Sequence, residues 1–281
     1  MLQSDLNRSL RNTPPPVVCA VSYLNTSPLV WGFERTHLGQ QIRLEYELPS
    51  VCADRVRDHS ADIGILPVIE IARQDLDWLP STGIACRGAV RSILLISKTP
   101  LSRIRSIAGD IGSRTSVMLA RVLLAERFGC EPEILPMHAD LEAMLRQADA
   151  ALIIGDPALR LDPVALGQHF EVWDLGEQWW NHTGLPMVFA LWAGRRGHCD
   201  ASLDLLFAAS CRYGIEHLEE VLASECPRRG LPIELGRAYF TRHIALELNA
   251  RDLEGMHAYL KLARALDNLK VSIPVTGTVT V

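Results

Sequence analysis

The sequence predicts an α/β protein made of two lobes, with a ligand-binding cleft between them. Short apolar runs of strand length alternate with segments of helical spacing over about the first 190 residues, and the pattern is helical from about 202 to about 269. Alternation of this kind favours a largely parallel sheet. Two apolar runs, 91–98 and 185–194, bracket the middle block and are candidates for the segments that carry the chain between the lobes.

These two runs set the predicted domain boundaries. Residues 95–191 would form the second lobe, inserted into a discontinuous first lobe of residues 17–94 and 192–270, and residues 1–16 would form a polar N-terminal arm. In α/β proteins with this layout, ligands commonly bind in the cleft between lobes. We therefore expect the functional residues to come from both lobes.

Three predicted strands alternate with helices in the first block. The strands are 17–23, 42–49 and 61–68. The first helix is predicted to start at Thr26-Ser27-Pro28, because Ser and Thr cap helix N-termini and Pro fits the first turn. A second, short helix is predicted within 51–60.

The middle block contains the clearest predicted helix, at 113–129, with Ser113 as its N-cap and Gly129 as its end. A shorter helix is predicted at about 140–147. The strands predicted around them are 91–98, 106–112, 133–137, 150–156, 171–175 and 185–194. Residues 271–281 are compatible with a strand or with disorder.

Composition and charge exclude several classes of protein. The chain has 281 residues, a formal net charge of −5 and none of the basic character of a nucleic-acid binder. No apolar run approaches the roughly 18 residues that span a bilayer. The N-terminal arm lacks the apolar core of a secretion signal, so we expect a cytoplasmic protein with neither a nucleic-acid nor a membrane partner.

The cysteines and histidines do not form a recognisable metal or disulfide pattern. The seven cysteines are widely spaced without a C-x-x-C pair, which is typical of reduced thiols, and the nine histidines are scattered. The nucleotide-binding glycine motifs, the G-x-S-x-G elbow and the H-E-x-x-H zinc motif are absent from the sequence. We therefore expect no metal site.

Two stretches place small hydrogen-bonding residues at the start of a helix. One is Asn25-Thr26-Ser27 after the first strand, and the other is Ser113-Arg114-Thr115-Ser116. A helix N-terminus offers unpaired N–H groups and a positive dipole end, so it can bind an anion. Both stretches could instead be plain helix caps. In the stretch Ser113-Arg114-Thr115-Ser116, however, three hydroxyls and a guanidinium exceed what one cap requires. A ligand with two carboxylates could bridge the two stretches.

Two further candidates lie at strand ends. Arg91 and Ser92 stand at the start of a buried strand, where the arginine could be either a solvated charge or a ligand-binding group. Asp156 follows the strand predicted at 150–156 and precedes Pro157. It could cap a helix or accept a hydrogen bond from a ligand hydroxyl.

Seven stretches resemble the chorismate dehydratase family, in order, from about residue 17 to about residue 265. They are VSYLNTSPLVWGFE, ADIGILPVIEIAR, CRGAVRSILLISK, SRTSVMLARVLLAERFG, LIIGDPAL, TGLPMVFALWAG and LEGMHAYLKLA. The resemblance implies the fold of type II periplasmic binding proteins, in an enzyme that works in the cytoplasm without metal or organic cofactor. The implied reaction, the first committed step of the futalosine route to menaquinone, eliminates water from chorismate to give 3-[(1-carboxyvinyl)oxy]benzoate.

The resemblance also implies roles for individual residues. Asn25 and Ser92 would act at the reacting carbons. The residues expected to bind the substrate are Tyr23, Thr26, Arg91, Ser113, Arg114, Thr115, Ser116 and Asp156. Because an amide does not titrate, Asn25 cannot be the base, and we hypothesise that a carboxylate of the substrate removes the C3 proton. A monomer or a homodimer is expected.

Two alternatives stay open at this point. The chain could be the related enzyme of the same pathway that makes 1,4-dihydroxy-6-naphthoate, although the stretches SYLNT and GDPAL favour the dehydratase. It could also be a non-catalytic cytosolic protein that binds a small carboxylate.

Overall fold

The structure, a computed structural model, describes residues 14–267 and consists of helices around two mixed β-sheets. The predictions for residues 1–13 and 268–281 lie outside the described residues. They include most of the polar arm and the C-terminal stretch 271–281.

The strands are numbered along the chain. Within residues 14–267 they are β1 (Val17–Val21), β2 (Arg43–Glu47), β3 (Ile63–Pro67), β4 (Asp77–Cys86), β5 (Ile93–Ser97), β6 (Ser106–Asp110), β7 (Glu133–Met137), β8 (Ala150–Ile154), β9 (Glu171–Asp174), β10 (Met187–Gly194) and β11 (Ala245–Glu247). One sheet has six strands in the order β11-β4-β10-β3-β1-β2, and the other has five in the order β7-β6-β8-β5-β9. We call the parts of the chain built on them the six-stranded lobe and the five-stranded lobe.

The helices follow the predicted pattern with additions. They are α1 (Ser27–Arg35), α2 (Pro49–Arg57), α3 (Val68–Gln74), α4 (Thr115–Phe128), α5 (Leu141–Gln147), α6 (Gly155–Leu159), α7 (Pro163–Leu166), α8 (Leu175–Thr183), α9 (Ala201–Glu216), α10 (Leu218–Arg228), α11 (Ile233–Ala238) and α12 (Ala250–Asp267). The sequence did not predict α3, α6, α7, α8, β4 or β11. The stretch predicted as helical to about 269 is interrupted by a π-helical turn and by β11.

The prediction of a largely parallel sheet is wrong. In each sheet only one strand, β1 or β6, is parallel to both of its neighbours. β10 runs antiparallel to β3 and β4, and β5 runs antiparallel to β8 and β9. The reason is that β5 and β10 are the first strands after the chain passes from one sheet to the other, so each enters the new sheet in the opposite direction to the strands beside it.

The five-stranded sheet takes its strands from one continuous stretch, β5 to β9, and the remaining strands form the six-stranded sheet. β5 lies wholly in the five-stranded sheet, and β10 lies wholly in the six-stranded sheet. The predicted boundaries at 94/95 and 191/192 fall inside these two strands, and they stay a prediction.

The apolar core follows the strand period of two. Along β5, Leu95 joins the large cluster that also contains Ile65 of β3 and Trp192 of β10, whereas Leu94 and Ile96 belong to a second cluster on the opposite face. Because the large cluster takes residues from both sheets, the two lobes share a core, and the cavity between them has well-packed walls.

Candidate active site

A cleft with about 550 Å³ of empty space, part of it open to solvent, lies between the two lobes. Its apolar wall includes Ile84, Phe189 and Ile93. Its polar lining consists of Tyr23, Asn25, Ser92, Ser113, Arg114, Thr115 and Ser116. All seven were predicted site residues. The cavity therefore brings together the two helix starts and the Ser92 strand that the sequence analysis singled out.

The remaining three predicted residues, Thr26, Arg91 and Asp156, do not line the cavity. Each is hydrogen-bonded to other protein groups, which the following paragraphs describe.

The first helix start orients Asn25. After β1 the chain makes a 3-10 turn, Leu24–Thr26, and α1 begins at Ser27 with Pro28 in its first turn. Thr26 occupies the N-cap position, but its side chain makes no capping bond; its hydroxyl instead donates to Asn25 Oδ1 at 3.3 Å. With its amide oxygen held by Thr26, Asn25 has its N–H groups left for other partners, which include the Tyr239 hydroxyl described below.

The second helix start has the properties of an anion site. Ser113 was predicted as the N-cap, but α4 begins at Thr115 with Arg114 at the cap position and no capping side chain. The first helical bond runs from Met118 N to Arg114 O, so the amides of Thr115, Ser116 and Val117 have no acceptor within the helix. Ser113 Oγ is buried with no hydrogen-bond partner in the described part of the chain.

Arg114 ties this helix start to the six-stranded lobe. Its guanidinium forms ion pairs with Glu70 of α3, at 2.9 Å, and Asp54 of α2, at 2.8 Å. The side chain thus forms salt bridges while still lining the cavity. Because two carboxylates share its charge, anion binding at this site depends mainly on the helix amides and hydroxyls.

One further carboxyl lies behind the anion site. Asp110, at the end of β6, is buried and accepts a hydrogen bond from Gly112 N at 2.9 Å. Burial raises the pKa of this carboxyl above its ordinary value.

Arg91 points toward the end of α6 and does not line the cavity. Its backbone is left-handed, with φ of 65°, which is uncommon for a residue other than glycine. Asp174 accepts hydrogen bonds from Val90 N and Arg91 N, and the guanidinium donates to carbonyl groups at the end of α6 and beyond, including Ala158 O at 3.1 Å. Burial lowers the pKa of Arg91, and its substrate-binding role does not follow from this geometry.

Asp156 joins the lobes. It lies in the first turn of α6 and is not the N-cap. Its Oδ1 accepts from Leu24 N at 2.9 Å, and its Oδ2 lies 3.2 Å from Arg229 Nε. Burial raises the pKa of this carboxyl, which the Arg229 charge opposes. The helix-cap role considered from the sequence is therefore wrong, whereas the role as an acceptor for a ligand hydroxyl stays a prediction.

Close packing beside Asp156 also brings the lobes together. Gly155 has a left-handed backbone with φ of 64°, and a Cβ atom placed on it would lie 2.6 Å from the ring of Tyr23. Only glycine fits without displacing the ring, because both the backbone conformation and the approach exclude a side chain.

The sequence analysis missed Tyr239, which lies directly behind the two predicted catalytic residues. Its hydroxyl is 2.8 Å from Ser92 Oγ and also interacts with the amide of Asn25. The ring is fully buried, and Tyr239 begins a π-helical turn, Tyr239–His243. No motif surrounds this tyrosine in the sequence, and its separation of 147 residues from Ser92 hides the contact.

Two negative findings apply to residues 14–267. No group of three or more His, Cys, Asp or Glu side chains in this range is arranged to hold a metal ion. No helix within the range is long and apolar enough to cross a membrane.

Known sequences match most of the chain. A family model described as menaquinone biosynthesis matches residues 16–265. A chorismate dehydratase of Thermus thermophilus is 34% identical over 173 residues, an alignment that covers 57% of this chain and 63% of that protein. A chorismate dehydratase of Campylobacter jejuni is 26% identical over 251 residues, covering 88% of this chain and 97% of that protein.

Comparison with solved structures shows the fold. The periplasmic aliphatic sulphonate binding protein of Escherichia coli superposes with a TM-score of 0.61 at 14% identity, covering 94% of each chain. The predicted fold of two α/β lobes, similar to periplasmic binding proteins, is confirmed by this likeness.

Proposed function

Because the chain belongs to the menaquinone-biosynthesis family, we propose that it is a hydro-lyase that converts chorismate to 3-[(1-carboxyvinyl)oxy]benzoate and water. The main support is one cavity to which both lobes contribute. Asn25 lies on its six-stranded side, Ser92 lies where the chain crosses between the lobes, and the start of α4 lies on its five-stranded side. Chorismate carries two carboxylates, and the start of α4 supplies the amides and hydroxyls that one of them requires.

The lining of the cavity supports a base that belongs to the substrate. The side chains around it include no carboxylate, imidazole or amine in the described part of the chain. Its titratable groups are Arg114 and Tyr23, and burial raises the pKa of Tyr23 above its ordinary value. Neither group is a base near neutral pH, so we assign proton removal to the carboxylate of the substrate's enolpyruvyl group.

The reaction then balances without another reactant. The substrate carboxylate takes the C3 proton, the C3–H electron pair forms the new ring double bond, and the C4–O bond breaks. The carboxylic acid formed in this way returns the proton to the departing hydroxide, which leaves as water, while the ring becomes aromatic. Asn25 and Ser92 hold the departing hydroxyl and the enolpyruvyl group in the reacting geometry, and the aromatic product provides the driving force.

Incubation of the purified protein with chorismate tests the proposal directly. We expect an aromatic product with an ultraviolet spectrum distinct from that of chorismate and a mass lower by one water. Chorismate that binds in calorimetry but is recovered unchanged would instead identify a non-catalytic binding protein. Chorismate that neither binds nor reacts would leave the 1,4-dihydroxy-6-naphthoate synthase as the alternative to assay.

Replacement of Ser113 by alanine should separate binding from stability. Because Ser113 Oγ is buried without a partner, its removal should leave the melting temperature unchanged or slightly raised. Loss of one hydrogen bond to a carboxylate should raise KM for chorismate by about 10-fold, with kcat little changed. The matched control is Ser97→Ala, which removes a buried hydroxyl bonded to Thr99 O at 2.6 Å and should lower stability without raising KM. An unchanged KM in Ser113→Ala would contradict the anion site.

The pH dependence of kcat should be flat from about pH 6 to about pH 9. Burial moves the pKa of Tyr23 upward, away from neutrality. Steady-state rates measured with saturating chorismate would check this expectation. A bell-shaped profile with an inflection near pH 7 would contradict catalysis by the substrate's own carboxylate, since it would report a protein base.

The cytoplasmic location and the monomeric or dimeric state stay predictions. The proposed reaction does not depend on either prediction, because the substrate is a small molecule and the cavity lies within one chain.

A further inference from the structure

Tyr239 connects the two predicted catalytic residues without lining the cavity. Its hydroxyl is 2.8 Å from Ser92 Oγ and interacts with the Asn25 amide, while its side chain is fully buried. Ser92 and Asn25 both line the cavity. The tyrosine thus lies on the protein side of two groups that face the ligand.

The chemistry of these groups explains why such a link would matter. A serine hydroxyl rotates among several positions and has one proton to donate, so an isolated Ser92 would have no fixed direction. The phenol can donate to one partner and accept from the other, which joins the three groups in a chain. Burial raises the pKa of Tyr239 above its ordinary value, so the phenol keeps its proton across the neutral range.

The turn that begins at Tyr239 contacts the connection between β4 and β5, which also contains Ser92. The π-helical turn closes with a bond from Ile244 N to Tyr239 O at 3.2 Å, and His243 Nδ1 lies 3.0 Å from Ala89 O. The turn therefore contacts the connection between β4 and β5 at both of its ends, through Ala89 and Ser92. Single π-helical turns are frequent at functional sites, because they redirect one side chain out of the helical register.

We propose that Tyr239 is a positioning residue for the reaction, whose hydroxyl is hydrogen-bonded to Ser92, interacts with the Asn25 amide and so holds both side chains toward the substrate. This inference rests on the proposed function. Tyr239 touches neither the cavity nor the reacting atoms, so it acts through its two partners.

Replacement of Tyr239 by phenylalanine tests the proposal, because it removes the hydroxyl and keeps the ring. We expect kcat for chorismate to fall about 10- to 100-fold, since a small misplacement of groups at the reacting carbons has effects of this size. KM should change less than about threefold, because the start of α4 is untouched. The melting temperature should fall by only about 2–4 °C.

A double-variant cycle distinguishes positioning from a purely structural role. If Tyr239 acts through Ser92 and Asn25, adding Tyr239→Phe to Ser92→Ala should slow the reaction by a smaller factor than Tyr239→Phe slows the wild type. Multiplication of the two single effects would overturn the proposal, as would a Tyr239→Phe variant with the kcat of the wild type. Ser210→Ala is the control: its buried hydroxyl bonds Leu29 O at 2.9 Å in another part of the core, and its loss should lower stability but not kcat.

The wild-type assay keeps the two proposals distinguishable. An active wild type with an equally active Tyr239→Phe would refute the positioning role and leave the dehydratase function intact. An inactive wild type would refute the function, and the role of Tyr239 in that reaction with it.

Discussion

Asn25→Ala is expected to fold normally and to lose about 100- to 1000-fold in kcat for chorismate, the range seen when one oriented donor at a reacting centre is removed. Asn25 lines the cavity, its amide oxygen is held by Thr26, and the amide reaches the Tyr239 hydroxyl. Its removal deletes the group that we assign to the departing hydroxyl or the enolpyruvyl group. It also removes one partner of the Tyr239 hydroxyl. The loss in kcat therefore includes the effect of a less well fixed Ser92 side chain.

Steady-state kinetics and thermal melts of the same preparation would check this expectation. Asn181→Ala, at an exposed position on α8, is the matched control and should keep the wild-type rate and melting temperature. A wild-type rate in Asn25→Ala would remove the central assignment of the mechanism. A large drop in melting temperature would show that the residue is needed for folding instead.

Gly155→Ala is expected to cause the largest loss of stability among the changes considered, about 2–4 kcal/mol. Alanine in a left-handed backbone costs about 1 kcal/mol. The new Cβ would also lie 2.6 Å from the ring of Tyr23, and relieving such an overlap costs a further 1–3 kcal/mol or so. Because Tyr23 lines the cavity, displacing its ring should also raise KM for chorismate at least about fivefold.

Gly184→Ala separates the two contributions. Gly184 has nearly the same backbone conformation, with φ of 68°, and a Cβ atom there would meet nothing within 4 Å. It should therefore lose only about 1 kcal/mol and keep its KM. Chemical denaturation of both variants gives the difference. Equal losses in the two variants would mean that the approach of Gly155 to Tyr23 contributes nothing to holding the lobes together.

Local patterns in the sequence predicted most of the elements. The helix predicted at 113–129 is α4, and it ends as expected at Gly129, whose φ of 65° suits a glycine stop. Strand β4 was missed because its sequence, DWLPSTGIAC, contains a proline and lacks a clear alternation of apolar and polar residues. The three residues of β11 are too few to show any period.

The site could be predicted as a set of positions but not as a set of contacts. A helix start with surplus hydroxyls is visible in the sequence, and residues 113–116 do line the cavity together with Asn25. The directions of Arg91 and Asp156 depend on partners far along the chain, since Arg91 donates to Ala158 O and Asp156 pairs with Arg229. Tyr239 was missed for the same reason: its significance lies in what the fold places beside it.

The contacts of Arg114 with Glu70 and Asp54, and of Asp156 with Leu24 and Arg229, fasten the two halves of the molecule at separate places around the cavity. Any separation of the lobes must therefore break contacts at both places. Each place has only a few polar contacts, which water can replace at modest cost. If the cleft has to widen to release the aromatic product, we expect that step to depend on these two sets of contacts and to be distinct from bond breaking.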